Sequence, residues 1–585
     1  STLEMQAEEI VDEDFSRIMM VTLVLGLGIL LITFRAVVAA IIPLLLAVVA
    51  IFSAIGFATL VSHLYPMEEV YTEMILLMGL AVGIDYSLFI ISRFRNERKA
   101  GRDKVDAISV ASNTTGRAVF YAGITVVLSL VGLTLTDNPV FISLALGAII
   151  VVLIAIVGSL TLLPALLSVL GDNINRLQVP FPGRGSNGGG IWGAISDRVL
   201  ARPAALATVT AVVLIALAVP VTTLNLGFNS GADAYPDGLE GKRALELLEE
   251  HFSSGRTEPA IVVVDAPYVN SPDVQLALAN LMGLARESGS FSEPFETEVN
   301  NAGDLLFVRM PIVGNVDDDQ SEEAVNLLRQ EIIPEAFSSS TAQVYVTGQT
   351  AGSMDFRDHM YDSAPYVFGF VLGLAFLLLL IMFRSIVIPL KAIVLNLLSV
   401  GAAYGVLVMV FQWGWGVGLL GSEASDAIEA WLPLFLFGIL FGLSMDYHML
   451  LLNRIKEYYD QGHANEEAVS LGIKATAGQI TSAAAIMVGV FSAFALSRVV
   501  GLQQFGLGLG VAVLIDATVI RTVLLPASMK LLGDWNWYLP SWLSWLPKVG
   551  PDEGTPVEVP SAGEPEEILP SQQSVPAMVP IIIDE

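Results

Sequence analysis

Two aspartate-tyrosine pairs interrupt long apolar runs in this sequence. They are Asp85-Tyr86 in GLAVGIDYSLFIISRFR (79–95) and Asp446-Tyr447 in FGLSMDYHMLLLNRIKE (441–457). An arginine follows each aspartate by eight residues, at Arg93 and at Arg454. Eight residues of helix rise about 12 Å. If the arginines mark the edge of a membrane core about 30 Å thick, each aspartate lies near its middle.

A carboxyl group at that depth could bind and release protons. Burial in a membrane strongly disfavours the charged carboxylate, which brings its protonation equilibrium toward neutral pH. A tyrosine hydroxyl nearby can donate to the charged form or accept from the neutral one. Two such pairs facing each other would titrate as one coupled unit. The alternative is a structural aspartate that hydrogen-bonds between helices and never ionises; two equivalent positions favour the proton relay.

His448 and Asp516 are candidate auxiliary residues. His448 directly follows Tyr447 and could assist proton passage, but capping of a polar patch is the favoured interpretation because only one copy of the motif has it. Asp516 lies in VLIDATVIR, five residues before Arg521. A structural pairing of Asp516 with Arg521 or with a helix end is as well supported as a transport role.

Three further polar residues could extend the relay: Thr115, Thr476 and Gln479. Their hydroxyl and amide groups could also make ordinary hydrogen bonds between helices, which explains them equally well.

These residues need a bundle of membrane-spanning helices around them. Of 585 residues, 54% are hydrophobic and only 15% are charged, which is too apolar for a soluble protein of this size. Apolar segments long enough to cross a membrane lie at 18–34, 37–62, 74–92, 115–135, 140–170, 203–224, 365–383, 386–411, 431–452, 476–497 and 500–525. The sequence therefore predicts eleven spans.

Composition also excludes several classes of function. The net charge of −29 argues against nucleic acid as a partner, and the absence of cysteine excludes thiolate metal sites. No cofactor is expected. An enzyme is disfavoured because the five histidines are scattered and no HExxH motif occurs between 225 and 362.

Basic residues predict the orientation in the membrane. Seven lysines and arginines lie between the end of the third predicted span and Arg117 at the start of the fourth, whereas acidic residues occupy alternate short loops. By the positive-inside rule the basic loops are cytoplasmic. This places 225–362 outside, in a cell membrane, and the C-terminus inside. Strand-like and helix-like runs alternate in 225–362, which predicts an α+β domain.

The chain is self-similar, with blocks repeated in the same order. ITFR (32–35) matches IMFR (381–384), the two Asp-Tyr segments match, TTGR (114–117) matches TAGQ (476–479), and LLPALLSVLGD (162–172) matches LLPASMKLLGD (524–534). The opening residues align with the end of the second outside domain. We therefore expect a protein of two parallel six-span halves, from which a first span and most of a first outside domain are missing here.

The motifs resemble those of the MMPL (mycobacterial membrane protein large) family of the resistance-nodulation-division superfamily. The resemblance rests on GIDYSLFIISRFR, LSMDYHMLLLNRI, VTGQTA (346–351) and VLIDATVIRTVLLPA, and extends over 1–534. It implies α/β porter domains outside the membrane and export of lipids or other hydrophobic compounds by the proton-motive force. It also implies that Asp85, Tyr86, Asp446 and Tyr447 form the proton relay.

The expected fold is a polytopic all-α membrane bundle of two parallel pseudo-repeats with an α+β extracytoplasmic porter domain. Its divisions are the end of a first porter domain (1–17), a first bundle (18–170), a cytoplasmic linker (171–202), a span (203–224), the porter domain (225–362), a second bundle (363–530), a Trp-rich interfacial segment (531–550) and a disordered cytoplasmic tail (551–585).

Two other functions stay open at this stage: a SecDF-like accessory of protein export, and a lipid-sensing or scaffolding membrane protein without transport. The expected partners are a lipid or hydrophobic small molecule, protons and membrane lipids. The sequence leaves open whether the chain forms a homo-oligomer.

Overall fold

The computed structural model describes residues 2–68, 70–179, 191–228, 239–251, 258–314, 318–425 and 427–547. Within these ranges the side chains of 2–9, 12, 191, 192, 194, 248–250 and 446 are outside the description. The glycine-rich part of the predicted linker and the predicted disordered tail also lie outside the described residues.

Eleven helical segments of the described chain are long and apolar enough to span a membrane, which confirms the predicted number. In order they are Glu13–Phe34, Val37–Ser62, Val70–Lys99, Lys104–Thr136, Pro139–Asn175, Pro203–Thr223, Gln349–Phe383, Val387–Gln412, Leu432–Asp460, Asn465–Phe494 and Val500–Trp537. We refer to them as the first to the eleventh span. The chain is a multi-pass membrane protein.

Several spans change helix type along their length. π-helical turns occupy Ser112–Gly116 in the fourth span, Val408–Gln412 in the eighth and Asp516–Leu524 in the eleventh. 3-10 turns end the fourth, fifth, sixth and eleventh spans at Gly132–Thr136, Gly171–Asn175, Val219–Thr223 and Gly533–Trp537. Single π turns inside α-helices are often found at functional sites.

The helices extend beyond the predicted apolar stretches. The third span runs from Val70 to Lys99, although 74–92 was the predicted range. Its last turns carry arginine and lysine, whose long side chains let a helix continue past the apolar core. One helix, Gln349–Phe383, crosses the predicted domain boundary at 362–363. The first helix likewise begins at Thr2, well before its apolar part.

Between the sixth and seventh spans lies a four-stranded antiparallel sheet. The strands of the chain are β1 (Leu226–Gly227), β2 (Ala260–Asp265), β3 (Glu296–Val299), β4 (Leu305–Met310), β5 (Gln343–Thr347) and β6 (Ile428–Glu429). The sheet order is β3-β4-β2-β5. Helix Glu240–His251 precedes the sheet in sequence, and helices Pro272–Ser288, Asp319–Leu327 and Ile333–Ala336 lie between its strands, with a π turn, Leu328–Ile332, joining the last two.

Alternation along the strands explains the core of this sheet. Val262, Val264 and Val308 point to one face and are buried with Leu281 and Val325 of the neighbouring helices. Successive side chains of a strand point to opposite faces, so the alternate residues form the other face. The membrane bundle has its own, larger hydrophobic core. The short strands β1 and β6 pair in parallel and join the end of the sixth span to the entry of the ninth.

The two copies of the sequence repeat share backbone details. Arg35 and Arg384, which end the matching ITFR and IMFR blocks, both adopt a left-handed conformation with φ of 53° and 49°. Gly171 and Gly533, in the matching LGD blocks, have φ of 52° and 53°, a region that glycine enters without strain. The repeated sequences thus end their helices in the same way.

Two polar contacts, which we call latches, join the two halves of the bundle. Asp14 of the first span is buried and accepts hydrogen bonds from Ser497 Oγ at 3.0 Å and from Arg498 Nε at 2.7 Å, between the tenth and eleventh spans. In the seventh span, His359 Nε2 lies 2.5 Å from the carbonyl oxygen of Thr136, at the end of the fourth span. The two latches cross between the halves in opposite directions.

A glycine on the eighth span allows backbone contact with the sixth span. A Cβ atom built at Gly405 would lie 1.7 Å from the carbonyl oxygen of Leu217, whereas one at Gly401 would meet Ala218 Cβ at an ordinary 3.4 Å. We expect Gly405→Ala to lower the free energy of unfolding by about 1–3 kcal/mol or more, because backbone must move. Gly401→Ala is the matched control, and thermal unfolding in detergent measures both. Equal melting temperatures for the two variants would contradict this packing.

Candidate proton-relay site

The third and ninth spans, which carry the Asp-Tyr pairs, are the most enclosed of the described spans. In their apolar stretches 94% and 88% of the residues are buried, against 61% at most elsewhere. Asp85, Tyr86, Tyr447 and His448 are all buried. A carboxyl group enclosed in this way needs polar partners from neighbouring helices.

The two motif copies meet through a hydrogen bond. Tyr447 Oη of the ninth span donates to Asp85 Oδ2 of the third span at 2.7 Å. The other carboxylate oxygen, Oδ1, makes no hydrogen bond to the described residues. The tyrosine of one repeat therefore holds the aspartate of the other, across 362 residues of chain.

Glycines bring the fourth span close to this pair. A Cβ atom at Gly442 would lie 3.1 Å from Val126 Cα, and one at Gly438 would lie 3.0 Å from the side chain of Leu133. The close approach also lets Ser129 Oγ donate to the carbonyl oxygen of Gly438 at 2.7 Å. Small residues at such contacts are a common device of membrane helix packing.

An ion pair lies beside the hydrogen-bonded pair. Arg521 donates to Asp516 Oδ2 from Nε at 3.0 Å and from Nη2 at 2.5 Å. Both side chains are buried, and Ser444 Oγ donates to the same Asp516 oxygen at 2.9 Å. A lone buried charge is costly in a membrane, and the pairing lowers the free-energy cost of burying both charges.

Arg521 connects the ion pair to the tyrosine. Its Cζ atom lies 4.4 Å from the centroid of the Tyr447 ring, and its Nη2 also donates to the carbonyl oxygen of Ser444 at 2.8 Å. A cation over an aromatic face is attracted by the ring electrons. The side chains thus form one contiguous series from Asp516 through Arg521 and Tyr447 to Asp85.

A small cavity adjoins this series. Its volume is about 20 Å³, and Ser444, Tyr447 and Asp516 line it together with Asn396 of the eighth span. Asn396 Oδ1 lies 2.7 Å from Ser444 Oγ, within hydrogen-bond distance. A space of this size with several polar groups around it can accommodate one water molecule. The cavity can therefore hold a water molecule, which can carry a proton, next to the buried ion pair.

The sequence matches a known family over most of its length. The MMPL family profile covers residues 2–206 and 235–546. The chain belongs to the MMPL family. This confirms the resemblance drawn from the Asp-Tyr motifs.

Relatives of this MMPL chain are transport proteins. It is 35% identical to the mycolic acid-containing lipids exporter MmpL11 of Mycolicibacterium smegmatis, over 89% of this chain and 55% of that protein. It is also 35% identical to the heme uptake protein MmpL11 of Mycobacterium tuberculosis, over 91% of this chain and 55% of that protein. The chain thus spans about half the length of these curated relatives.

A solved structure shares the fold of this MMPL chain. The crystal structure of SecDF, a translocon-associated membrane protein from a Thermus species, aligns with a TM-score of 0.54 at 17% identity. The alignment covers 91% of this chain and 63% of that one. At this identity the likeness concerns the fold alone.

The structure places the other predicted residues of the MMPL chain as follows. The Asp446 backbone lies in the ninth span, but its side chain is outside the described part of the structure. The ring nitrogens of His448 make no hydrogen bond to the described residues. Thr476 Oγ1 donates to Gly472 O of its own helix at 2.9 Å. Among the described hydrogen bonds, none brings Thr115 or Gln479 into the series.

Ser444 and Asn396 belong to this site in the MMPL chain, but sequence reasoning missed them. Ser444 contacts both Asp516 and Asn396. The available signal was a polar residue within an apolar span, which usually faces the interior of a bundle. Serine is common where membrane helices pack together, so that signal does not single out Ser444.

Proposed function

We propose that this chain is the membrane part of an exporter of lipids or other hydrophobic compounds, driven by the proton-motive force. The observation that carries the proposal is the Tyr447–Asp85 hydrogen bond, which joins the repeated motifs of both halves inside the bundle. Membership of a transporter family supports it. In this proposal Asp85, Tyr86, Asp446 and Tyr447 bind and release the protons.

Protonation changes the forces between the two central spans. A charged Asp85 accepts the Tyr447 hydrogen bond and is attracted by the guanidinium of Arg521 on the far side of the tyrosine ring. A neutral Asp85 loses that charge attraction and can itself donate a hydrogen bond. Because the interaction differs between the two protonation states, proton binding shifts the relative stability of two packings of the third and ninth spans.

The driving force is sufficient for such a shift. One proton moving down a membrane potential of 100 mV supplies about 2.3 kcal/mol, in addition to any pH gradient. That is comparable with the contribution of a hydrogen bond to a charged group, about 1.5–3 kcal/mol. Passage of a proton through the site can therefore break and remake the contact between the repeats.

Movement of the spans reaches the outer segments through continuous helices. The helix Gln349–Phe383 starts directly after β5 of the sheet and continues as the seventh span. In the proposed orientation the sheet lies outside as the porter domain, and the C-terminus lies in the cytoplasm. Rocking of one half against the other would then move the outside domain.

A hydrophobic cargo fits the relatives of this chain. One MmpL11 relative is named as an exporter of mycolic acid-containing lipids, and another as a heme uptake protein. Both names describe large apolar molecules. We therefore propose a lipid as the substrate and include heme in the test.

The test is transport in proteoliposomes that contain the full-length protein. Vesicles with an imposed pH gradient and membrane potential receive a fluorescent lipid, a mycolic acid ester or heme, and movement of each is followed over time. We expect movement of a lipid that stops when a protonophore collapses the gradient, with matching proton flux. Lipid movement at an unchanged rate without the gradient would exclude proton coupling, and no movement of any substrate would favour a scaffold.

The Tyr447–Asp85 hydrogen bond yields a specific prediction. We expect Tyr447→Phe to reduce gradient-driven transport roughly 10- to 100-fold, because a hydrogen bond to a charged group contributes about 1.5–3 kcal/mol. The matched control is Tyr404→Phe, which removes another buried tyrosine hydroxyl that donates to Pro433 O of the ninth span. Initial rates in proteoliposomes measure both variants. If Tyr404→Phe and Tyr447→Phe lost activity equally, general packing would explain the loss.

A further inference from the structure

The chain after the eleventh span folds back onto the end of the seventh span. Leu543 and Leu546 are buried against Leu380, in a small apolar cluster separate from the main core. Burying these leucines turns Trp542 and Trp545 outward, where 72% and 73% of their surface is exposed. The segment 538–547 is thus a defined structural element with an aromatic outer face, which we call the Trp segment.

Polar contacts hold the end of the eleventh span, from which the Trp segment continues, and the Ile386 N–H donates to the carbonyl oxygen of Tyr538 in the segment at 3.2 Å. Ser385 Oγ donates to the carbonyl oxygen of Asn536 at 2.6 Å, and Lys391 Nζ donates to Asn536 Oδ1 at 2.8 Å. The ring of Trp537 stacks on Tyr459 of the ninth span, with centroids 5.0 Å apart. These contacts fix the position of the two exposed tryptophans relative to the spans.

A cation contacts the backbone of the residue that separates the two tryptophans in the sequence. Arg384, the residue that follows the seventh span, donates from Nη2 to the carbonyl oxygen of Ser544 at 2.9 Å. Ser544 stands between Trp542 and Trp545 in the sequence. A guanidinium has five N–H donors, so this single hydrogen bond leaves most of them available.

The positive charge at this place is not neutralised by the described part of the protein. Arg384 bonds to a carbonyl oxygen, which is neutral. No ion pair between described residues includes it. The end of the seventh span therefore combines uncompensated positive charge with exposed indole rings.

This location coincides with a membrane boundary. The seventh span ends at Phe383 and the eleventh at Trp537, so both reach the membrane surface on the same side. Exposed tryptophans concentrate at the level of lipid headgroups, and a guanidinium binds phosphate in a two-pronged fashion. Charge and aromatic character are thus complementary to an anionic headgroup.

We propose that the surface formed by Arg384, Trp542 and Trp545 binds the phosphate of an anionic phospholipid in the leaflet at this end of the bundle. The guanidinium would contact the phosphate, and the indole rings would pack along the glycerol region and upper acyl chains. This site is independent of the proposed transport activity and uses none of the relay residues.

The test is native mass spectrometry of the detergent-solubilised protein with phosphatidylglycerol or phosphatidylcholine at equal concentration. One interfacial charge is worth a factor of about five in lipid affinity. We therefore expect Arg384→Gln to reduce retained phosphatidylglycerol about fivefold, and to reduce retained phosphatidylcholine less, because its choline group offsets the phosphate charge. The matched control is Arg35→Gln, the equivalent position in the first repeat. Arg35 has the same left-handed backbone, with φ of 53°. The residues that follow the last span of the first repeat, 176–190, contain no tryptophan.

A second pair of variants tests the aromatic part. We expect the double variant Trp542→Ala/Trp545→Ala to reduce retention of both lipids. Its control is the double variant Trp413→Ala/Trp415→Ala, which changes two exposed tryptophans between the eighth and ninth spans and should have no effect. Should Arg384→Gln melt at a lower temperature than the native chain, Arg384→Lys is compared with it, and we expect this variant to retain more phosphatidylglycerol than Arg384→Gln because it keeps the charge. Wild-type binding in the Arg384 and Trp542/Trp545 variants, or equal losses in their controls, would overturn the proposal.

Discussion

Replacement of Asp85 by asparagine should abolish proton-driven transport while the protein stays folded. Asparagine has nearly the same shape and can still accept the hydrogen bond from Tyr447, but it cannot release a proton. The contact between the repeats would then be present at all times. We expect a loss of about 100-fold or more, the usual contribution of a side chain that transfers protons.

Gradient-driven efflux and proton uptake, recorded in the same proteoliposomes, measure this loss. The matched control is Asp137→Asn, which removes an exposed carboxylate at the end of the fourth span. Asp137 has a left-handed backbone, with φ of 52°, that asparagine tolerates. Efflux by Asp85→Asn that still responds to the gradient would show that another group carries the proton.

The second large effect concerns stability. Removing Arg521 would leave the Asp516 carboxylate buried without its cation, so Arg521→Met should lower the free energy of unfolding by about 3–5 kcal/mol. Removing both charges in Asp516→Leu with Arg521→Met should restore most of that stability, because no charge is then left unpaired. Unfolding of the purified protein in mixed micelles gives the free energies.

The exposed ion pair of Arg454 and Glu457 provides the comparison. Its replacement by Arg454→Met should change the free energy of unfolding by less than about 1 kcal/mol, since exposed pairs contribute little. If the double variant of Asp516 and Arg521 were as unstable as the single one, the role assigned to the buried pair would be wrong.

Apolar length was enough to predict the eleven spans, because a membrane core requires long uninterrupted apolar helices. It was less informative about where the helices end. The helix Gln349–Phe383 begins in a polar stretch and carries Pro365 within it. Helix continuation there depends on packing that a composition profile does not record.

The pairing within the site illustrates the other limit of sequence reasoning. In an ordinary α-helix, residues five apart are separated by about 140° around the axis, so Asp516 and Arg521 would not share a face. The structure forms a π-helical segment at Asp516–Leu524, and its wider turn brings the two side chains together. The sequence repeat indicated that the Asp-Tyr motifs correspond, but only the fold shows that Asp85 is paired with Tyr447 of the other copy.

The crossed latches connect the two sequence repeats in both directions. Asp14 of one repeat is satisfied by Ser497 and Arg498 of the other, and His359 reaches Thr136 in the reverse direction. Separating the duplicated halves would leave the buried Asp14 carboxylate without these two partners.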